Sequence, residues 1–464
     1  MSIMRVNFSH ATVEEVELRT TNLAAAMAHE ATAGVNNLRA VLLDTKGPEI
    51  RTGGLQAVHE TGDRKAKIEL KTGDEILLTT DPAWADCSDE KTLYVTYGEM
   101  YDTVKVDMPV LLDDGAVTLT VLEISDSGVR CRIENDGDIA SRRGVNLPGS
   151  KLQLPPMSEK DKSDIRYGIG EKDMDFVAAS FVRKPSDVTE IRDWIKVCHK
   201  EFHSDDHPLP LIISKIESTE ALDNLDAIIE VSDGIMVARG DLGVEIPLEE
   251  VTFWQKEMVK KCNLLGKPVI VATQMLETMQ KNPRPTRAEV SDVANALLDG
   301  ADCVMLSGES ANGSYPVESV RTMRSIIDKT EKWMPGGPSA SMVYSHSTDT
   351  VDAAASGAVI TAEKMEAACI IVMTTDGNNV RSVAKYRPNE PVVAVCDKMK
   401  VARQLNIHRA VQPVMLAADE DLASVAVTDM DKAIRLAKKY GYCEAGDNVV
   451  IMDSDSAIRI KSVP

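Results

Sequence analysis

The sequence predicts an α/β protein: a (β/α)8 barrel interrupted by an inserted antiparallel β-barrel domain and followed by a smaller C-terminal α/β domain. Seven short apolar runs, MRVNFS, AVLLDTK, DFVAASF, PLIISKIE, DGIMVARGD, KPVIVATQ and ADCVMLSGE, are each followed by a helical stretch. Runs that are apolar on both faces and alternate with helices mark parallel strands covered on both sides. Each run also ends in polar residues, and chemistry at the C-terminal ends of strands favours a barrel over an open sheet. A closed barrel of this kind needs eight strands, and seven runs are found.

The first two runs open the barrel, over residues 1–53. From 54 to 142 the period changes to two, with turn signals, in KAKIELKTGDEILLTT, KTLYVTYG and PVLLDDGAVTLTVLE, which predicts the β insertion. RRGVNLPG leads back into the barrel, whose second part spans 143–335. The Pro/Gly/Ser-rich stretch MPGGPSASMVYSHSTD reads as a linker. Over 345–464, ACIIVMTT, PVVAVCD, AVQPVML and NVVIMDS alternate with helical segments as a separate open-sheet domain.

A chain of 464 residues, 43% hydrophobic, accommodates two to four domains. Acidic residues outnumber basic ones, 73 to 52, and the net charge of −21 argues against nucleic acid or an anionic membrane as a partner. No apolar run approaches the length of a membrane span, and the first residues lack a basic-then-apolar leader, so a soluble, cytoplasmic protein is expected. The eight cysteines stand singly, with no CxxC pair and no histidine couple nearby, as buried free thiols in a reducing compartment would.

Lys215 and Glu217, two apart in KIE at a strand end, project to the same side. Asp241 follows the next strand, in RGD. Two carboxylates from adjacent strand ends make a hard-oxygen site for a divalent ion that keeps several waters, Mg²⁺ or Mn²⁺; spacing alone leaves a surface ion pair open. Gly240, Asp241 and Gly243 sit where a strand turns into a short helix, so backbone N–H groups could hold a carboxylate, or the glycines could simply permit the turn. Arg5 and Arg51 are the candidate phosphate ligands, because guanidinium forks match phosphate oxygens and keep their charge. Asn7, Ser9, Asp44 and Thr45 supply only oxygens from two adjacent strand ends, which suits K⁺ or, equally, local capping.

Five segments, LDTKGPEIRTG (43–53), SKIES (214–218), MVARGDLGVEIP (236–247), ATQMLETM (272–279) and NPRPTRAEVSDVANALLDGADCVMLSGES (282–310), together resemble the pyruvate kinase family. The resemblance covers nearly the whole chain. It implies a glycolytic enzyme that transfers the phosphoryl group of phosphoenolpyruvate to ADP, giving pyruvate and ATP, and assembles as a homotetramer. It implies that Lys215, Thr273 and Arg5 are catalytic, and that Ala238, Arg239, Gly240, Asp241 and Thr273 join Arg5 and Lys215 around the substrate. Asn7, His10, Arg51 and Lys160 would meet the nucleotide, with Asp113 and Asp114 either near its metal or merely forming a hairpin turn. Glu217 and Asp241 would hold Mg²⁺, and Asn7, Ser9, Asp44 and Thr45 would hold K⁺; Glu49 and Thr52 match the family members that need K⁺. Ser307 and Glu309 would join a proton relay or serve as packing and capping residues. Intact Lys215, Glu217, Asp241 and Thr273 favour an enzyme over a retired paralogue.

The sequence departs from the family in two places. The first barrel strand and its helix, with a TIGP-like motif, are missing ahead of MSIMRVNFSH, so the fold expected is a barrel lacking its first strand–helix unit. Such a strand buries apolar surface worth about 10 kcal/mol, and the chain as given is therefore expected to fold poorly or lack activity. TTDGNNVRS (374–382) replaces the Ser/Thr-rich loop of members that respond to sugar bisphosphates. With Asp376 in that loop, no bisphosphate effector site of the usual kind is expected.

Overall fold

Alternation with a period of two decides how each barrel strand is buried. In the second strand Leu42 faces inward and Leu43 outward, and both are buried, so the run is apolar throughout. The computed structural model describes residues 1–29, 37–63, 65–334, 349–416 and 429–464. Most of the expected linker lies outside them.

The seven runs form one parallel sheet in sequence order: β1 (Ile3–Asn7), β2 (Ala40–Asp44), β3 (Phe176–Ala179), β4 (Leu211–Ile216), β5 (Gly234–Ala238), β6 (Val269–Ala272) and β7 (Cys303–Met305). β1 and β7 are its edges among the described residues. The outer face packs on helices through Val6, Val177, Ile216 and Val271, and the inner face gathers Leu42, Phe176, Ile213, Met236 and Ile270. Helix ends are written in local sequence: Thr12 with Glu15, Ser158 with Asp161 and Thr286 with Glu289 form capping boxes. Gly266 (φ +68) and Gly300 (φ +109) close two helices in the left-handed region.

A repeated aspartate sets the register at the floor of the sheet. Asp175, Asp233 and Asp302 precede β3, β5 and β7, and each accepts an N–H from the start of a neighbouring strand, from Val41, Ile212 and Val269 at 2.8, 2.8 and 3.1 Å. These edge amides would otherwise be orphaned.

The insertion folds into a six-stranded sheet and a two-stranded ribbon. The sheet is antiparallel except for one pair, Glu75–Thr79 with Thr92–Tyr94, which runs parallel because a loop with a 3₁₀ turn at Pro82–Trp84 carries the chain across between them. Its last strand, Val145–Asn146, pairs with Leu112 and Leu111.

The C-terminal unit has β8 (Cys369–Thr374) at its centre, flanked by β9 (Val392–Cys396) and then β10 (Val411–Met415) on one side. On the other lie β11 (Asn448–Met452) and the antiparallel β12 (Ile458–Ser462). It docks on the floor of the barrel sheet, opposite the strands' C-terminal rim. Ile407 is fully buried among the inward-facing strand residues, Arg403 Nε reaches Asp175 at 2.7 Å and Gln404 donates to the Leu209 carbonyl at 2.8 Å.

Among the described residues no helix is long and apolar enough to cross a membrane. All eight cysteines are free; six are buried, Cys303 is half-buried and Cys87 is exposed.

Candidate active site

The C-terminal rim of β1 to β5 and the inner edge of the insertion enclose a cleft of about 400 Å³, of the size small-molecule sites take. Arg5, Lys215, Glu217, Asp241, Asp113 and Asp114 all line it.

Lys215 is the hub. Its ammonium stands 2.8 Å from Ser180 Oγ, 2.9 Å from Glu217 Oε1 and 3.3 Å from Asp44 Oδ1. Burial alone would push its pKa down, but the charges of Asp44, Glu217 and Asp241 outweigh that and raise it, so it is cationic at any working pH. Asp44 shows the reverse balance: burial would raise its pKa, but Lys215 and Arg5 hold it below the usual carboxylate range. Arg5 Nε donates to Asp44 Oδ2 at 2.6 Å, leaving a quarter of its side chain exposed to the cleft.

Glu217 is 1% exposed, and the backbone N–H of Phe181 donates to its Oε2 at 2.6 Å. Its Oε1 is buried and faces the Lys215 ammonium at 2.9 Å. Asp241 is pushed up to about 8, by burial and then by the Glu217 carboxylate, against the pull of Lys215. Two buried carboxyls side by side, one of them driven towards its neutral form, are an arrangement that a bound cation would relieve. An all-oxygen donor pair fits a hard divalent ion of the Mg²⁺ class.

The remaining candidates divide. Asn7 and Asp44 are register partners on β1 and β2, and Asn7 Oδ1 accepts from the N–H of Ser9. The Thr45 hydroxyl turns away, donating to the Ala178 carbonyl at 3.2 Å, whereas its carbonyl accepts from Ser180 Oγ at 2.7 Å. Thr45 does not line the cleft; its main-chain oxygen, not its side chain, is turned towards Ser180, which does. Arg51 Nε donates to Glu49 at 2.7 Å. His10 lies exposed at the cleft's margin. Lys160 is spent elsewhere, on the Phe8 carbonyl at 2.9 Å and on Asp164. Asp113 and Asp114 both have positive φ in the hairpin between Pro109–Leu112 and Val117–Ser125, and they also face the cleft, so the turn and the site coincide.

Thr273 ends β6 at φ +69, a strained conformation for a β-branched residue. Its hydroxyl donates to the Ala272 carbonyl at 2.6 Å and accepts from Gly240 N–H at 2.8 Å, which ties β6 to the turn of RGD. Ala238 caps the short helix Arg239–Glu245, and Arg239 points away from the cleft, onto Asp292 and the Thr273 carbonyl. Glu309 is a cap: it accepts from the N–H groups of Leu276 and Ser307, while Ser307 Oγ is buried and unpartnered.

Three residues not singled out from sequence shape the site. Ser180 bridges Lys215 to the Thr45 carbonyl; its position at a polar strand end was the available signal. Asp161, fully buried, accepts from the N–H groups of Lys46 and Gly47 and so fixes the loop after β2. Asn146 donates to Glu245 at 3.0 Å, joining the insertion to the helix that carries Asp241.

Comparison with known proteins gives a consistent result. Residues 1–320 match the family profile of the pyruvate kinase barrel domain, and residues 352–459 that of the pyruvate kinase alpha/beta domain. The pyruvate kinase of Clostridium acetobutylicum is 43% identical over 452 residues, covering 97% of this chain and 90% of that protein. The pyruvate kinase of Geobacillus stearothermophilus is 42% identical over 456 residues, covering 97% and 73%. A crystal structure of a pyruvate kinase from Cryptosporidium parvum superposes with a TM-score of 0.89 at 38% identity, covering all of this chain and 91% of the other.

Proposed function

The chain belongs to the pyruvate kinase family, phosphotransferases that convert phosphoenolpyruvate and ADP to pyruvate and ATP in glycolysis, and we propose that the groups gathered around Lys215 carry that reaction here. The family is metal-dependent, and the observation that carries the assignment of residues is the convergence of one buried ammonium with three carboxylates at a single rim.

Phosphoryl transfer asks a protein for positioning and charge neutralisation more than for covalent chemistry. Lys215 is the fixed cation for the phosphoryl group in transfer, and Arg5, half-free at the cleft wall, takes a second edge of the same phosphate. Glu217 and Asp241 would hold a divalent ion, Mg²⁺ or Mn²⁺, which would supply Lewis-acid charge beside the substrate oxygen. The turn at Ala238, Arg239, Gly240 and Asp241 receives the substrate carboxylate. Thr273, adjoining that turn, orients the water that protonates the enolate, because its hydroxyl is too weak an acid to act unaided. Asn7, Ser9, Asp44 and the Thr45 carbonyl form the oxygen set for K⁺. His10 and Arg51 meet the nucleotide phosphates at the cleft's outer edge, and the engagement of Lys160 by Phe8 and Asp164 makes it the weakest of that group. We further infer a cytoplasmic homotetramer without a sugar-bisphosphate site: Asp376 and Asn378 already satisfy one another in the loop after β8.

Pyruvate formation from phosphoenolpyruvate and ADP, measured with Mg²⁺ and with or without K⁺, tests this reading. Activity that needs both ions and disappears in Lys215→Met supports it. Full activity in Lys215→Met would end it.

A further inference from the structure

Away from the cleft, the helix Pro185–Phe202 ends against the loop before β3 and the docked C-terminal unit. Three histidines converge there, spaced four apart: His199 within the helix, His203 at its cap and His207 after a turn. His203 and His207 stack with ring centroids 4.3 Å apart, and His199 lies 5.0 and 5.6 Å from them. One nitrogen of His203, one of His207 and one carboxylate oxygen of Asp173 all lie within 4.8 Å of one another. Independently of that triad, His199 is 5% exposed and its Nε2 has no hydrogen-bond partner.

We propose that Asp173, His203 and His207, with His199 behind them, form a binding site for a borderline transition-metal ion of the Zn²⁺ class, separate from the cleft. The donor set is imidazole-rich, which suits Zn²⁺ and not Mg²⁺. The orientation of the His203 ring is prepared. His203 Nε2 donates to the Ile169 carbonyl at 2.9 Å, which leaves Nδ1 as the lone-pair nitrogen. The rings stack face to face with in-plane lone pairs side by side, so His207 must turn out of the stack to share an ion, and in doing so it releases Asp173, now 2.8 Å from its Nε2. The C-terminal end of an 18-residue helix adds favourable negative potential. Opposing it, Lys400 and Arg403 of the C-terminal unit already hold Asp173, at 2.5 and 2.7 Å. Ion binding and interdomain docking therefore compete for one carboxylate, and each weakens the other. Contrary to expectation, a cysteine does adjoin this histidine group, but Cys198 is fully buried.

Calorimetric titration of the full chain with Zn²⁺, under saturating Mg²⁺ to occupy the cleft, tests the site. One equivalent is expected to bind, at least about 10-fold more weakly in His203→Gln/His207→Gln, with melting curves reporting that the variant is folded. Lys400→Met is expected to bind Zn²⁺ more tightly than the parent chain, because Asp173 has lost a competitor. Co²⁺ substituted at the site is expected to show the visible absorption of imidazole ligation. Zn²⁺ affinity unchanged in the folded double variant overturns the proposal. If that variant fails to fold, the Lys400→Met arm decides, and unchanged or weaker binding there overturns it.

Discussion

Asp241 lies beside the Glu217 carboxyl in the cleft, and burial first, then that like charge, push its pKa up to about 8. In the metal-free protein this group's pKa is raised above its ordinary value of 3.8, so the stability it contributes is complete below that value and is lost as pH rises through about 8. A divalent ion needs both groups ionised, so apparent Mg²⁺ affinity is expected to climb between about pH 6 and 8, with proton release, and to level off above. Calorimetry in buffers of different ionisation enthalpy counts those protons. In Glu217→Gln the like charge is gone and the pH dependence of melting should flatten; an identical profile in parent and variant would contradict the pairing.

Lys215→Met removes the cation that balances Asp44, Glu217 and Asp241. Three buried acids are then left against each other, and a loss of about 3–5 kcal/mol in denaturant unfolding is expected. The turnover number should fall by a factor of about 100 or more. Addition of Mg²⁺ should restore part of the stability and none of the rate.

Thr273 is held at φ +69 with its hydroxyl shared between Ala272 and Gly240. Thr273→Ser keeps the hydroxyl without the β-branch and should retain most activity at equal or greater stability. Thr273→Ala loses the hydroxyl and should lower kcat by about 100-fold or more, the range seen for proton-transfer groups. Equal rates in the two variants would remove the residue from the proton path.

At the floor, Arg403→Ala leaves the Asp175 carboxylate buried, with Val41 N–H as its remaining donor. Burial already raises the Asp175 pKa. The variant should lose about 3 kcal/mol near neutral pH. The deficit should narrow on acidification, as Asp175 takes up a proton and no longer needs a counter-charge. Melting that is unchanged at both pH values would show that the C-terminal unit docks without this pair.

Much of the fold was legible because burial on both faces leaves a plain trace: a short apolar run closed by a polar residue, in every strand after the first, where Arg5 and Asn7 interrupt it. The site was legible for the same reason, since Lys215, Glu217 and Asp241 stand at the ends of such runs. Ser180 stands just after one too, but a serine at a strand end has many uses and its residue type alone does not mark it. The resemblance points to Lys160, yet its neighbour Asp161 is the residue that shapes the loop after β2, through hydrogen bonds to main-chain amides that no pattern in the sequence announces. The histidine group was missed because its fourth member, Asp173, comes from another loop and its competitors, Lys400 and Arg403, lie more than 200 residues away.

By itself the sequence determined which residues alternate, where helices start and stop, and which strand ends carry charge, because those depend on neighbours a few positions apart. The tertiary structure alone decided which of those charges face one another, which oxygen of Thr45 meets Ser180, and that the Asp241 pKa is raised. Each of these is set by burial and by through-space electrostatics between strands, and neither exists until the chain has folded.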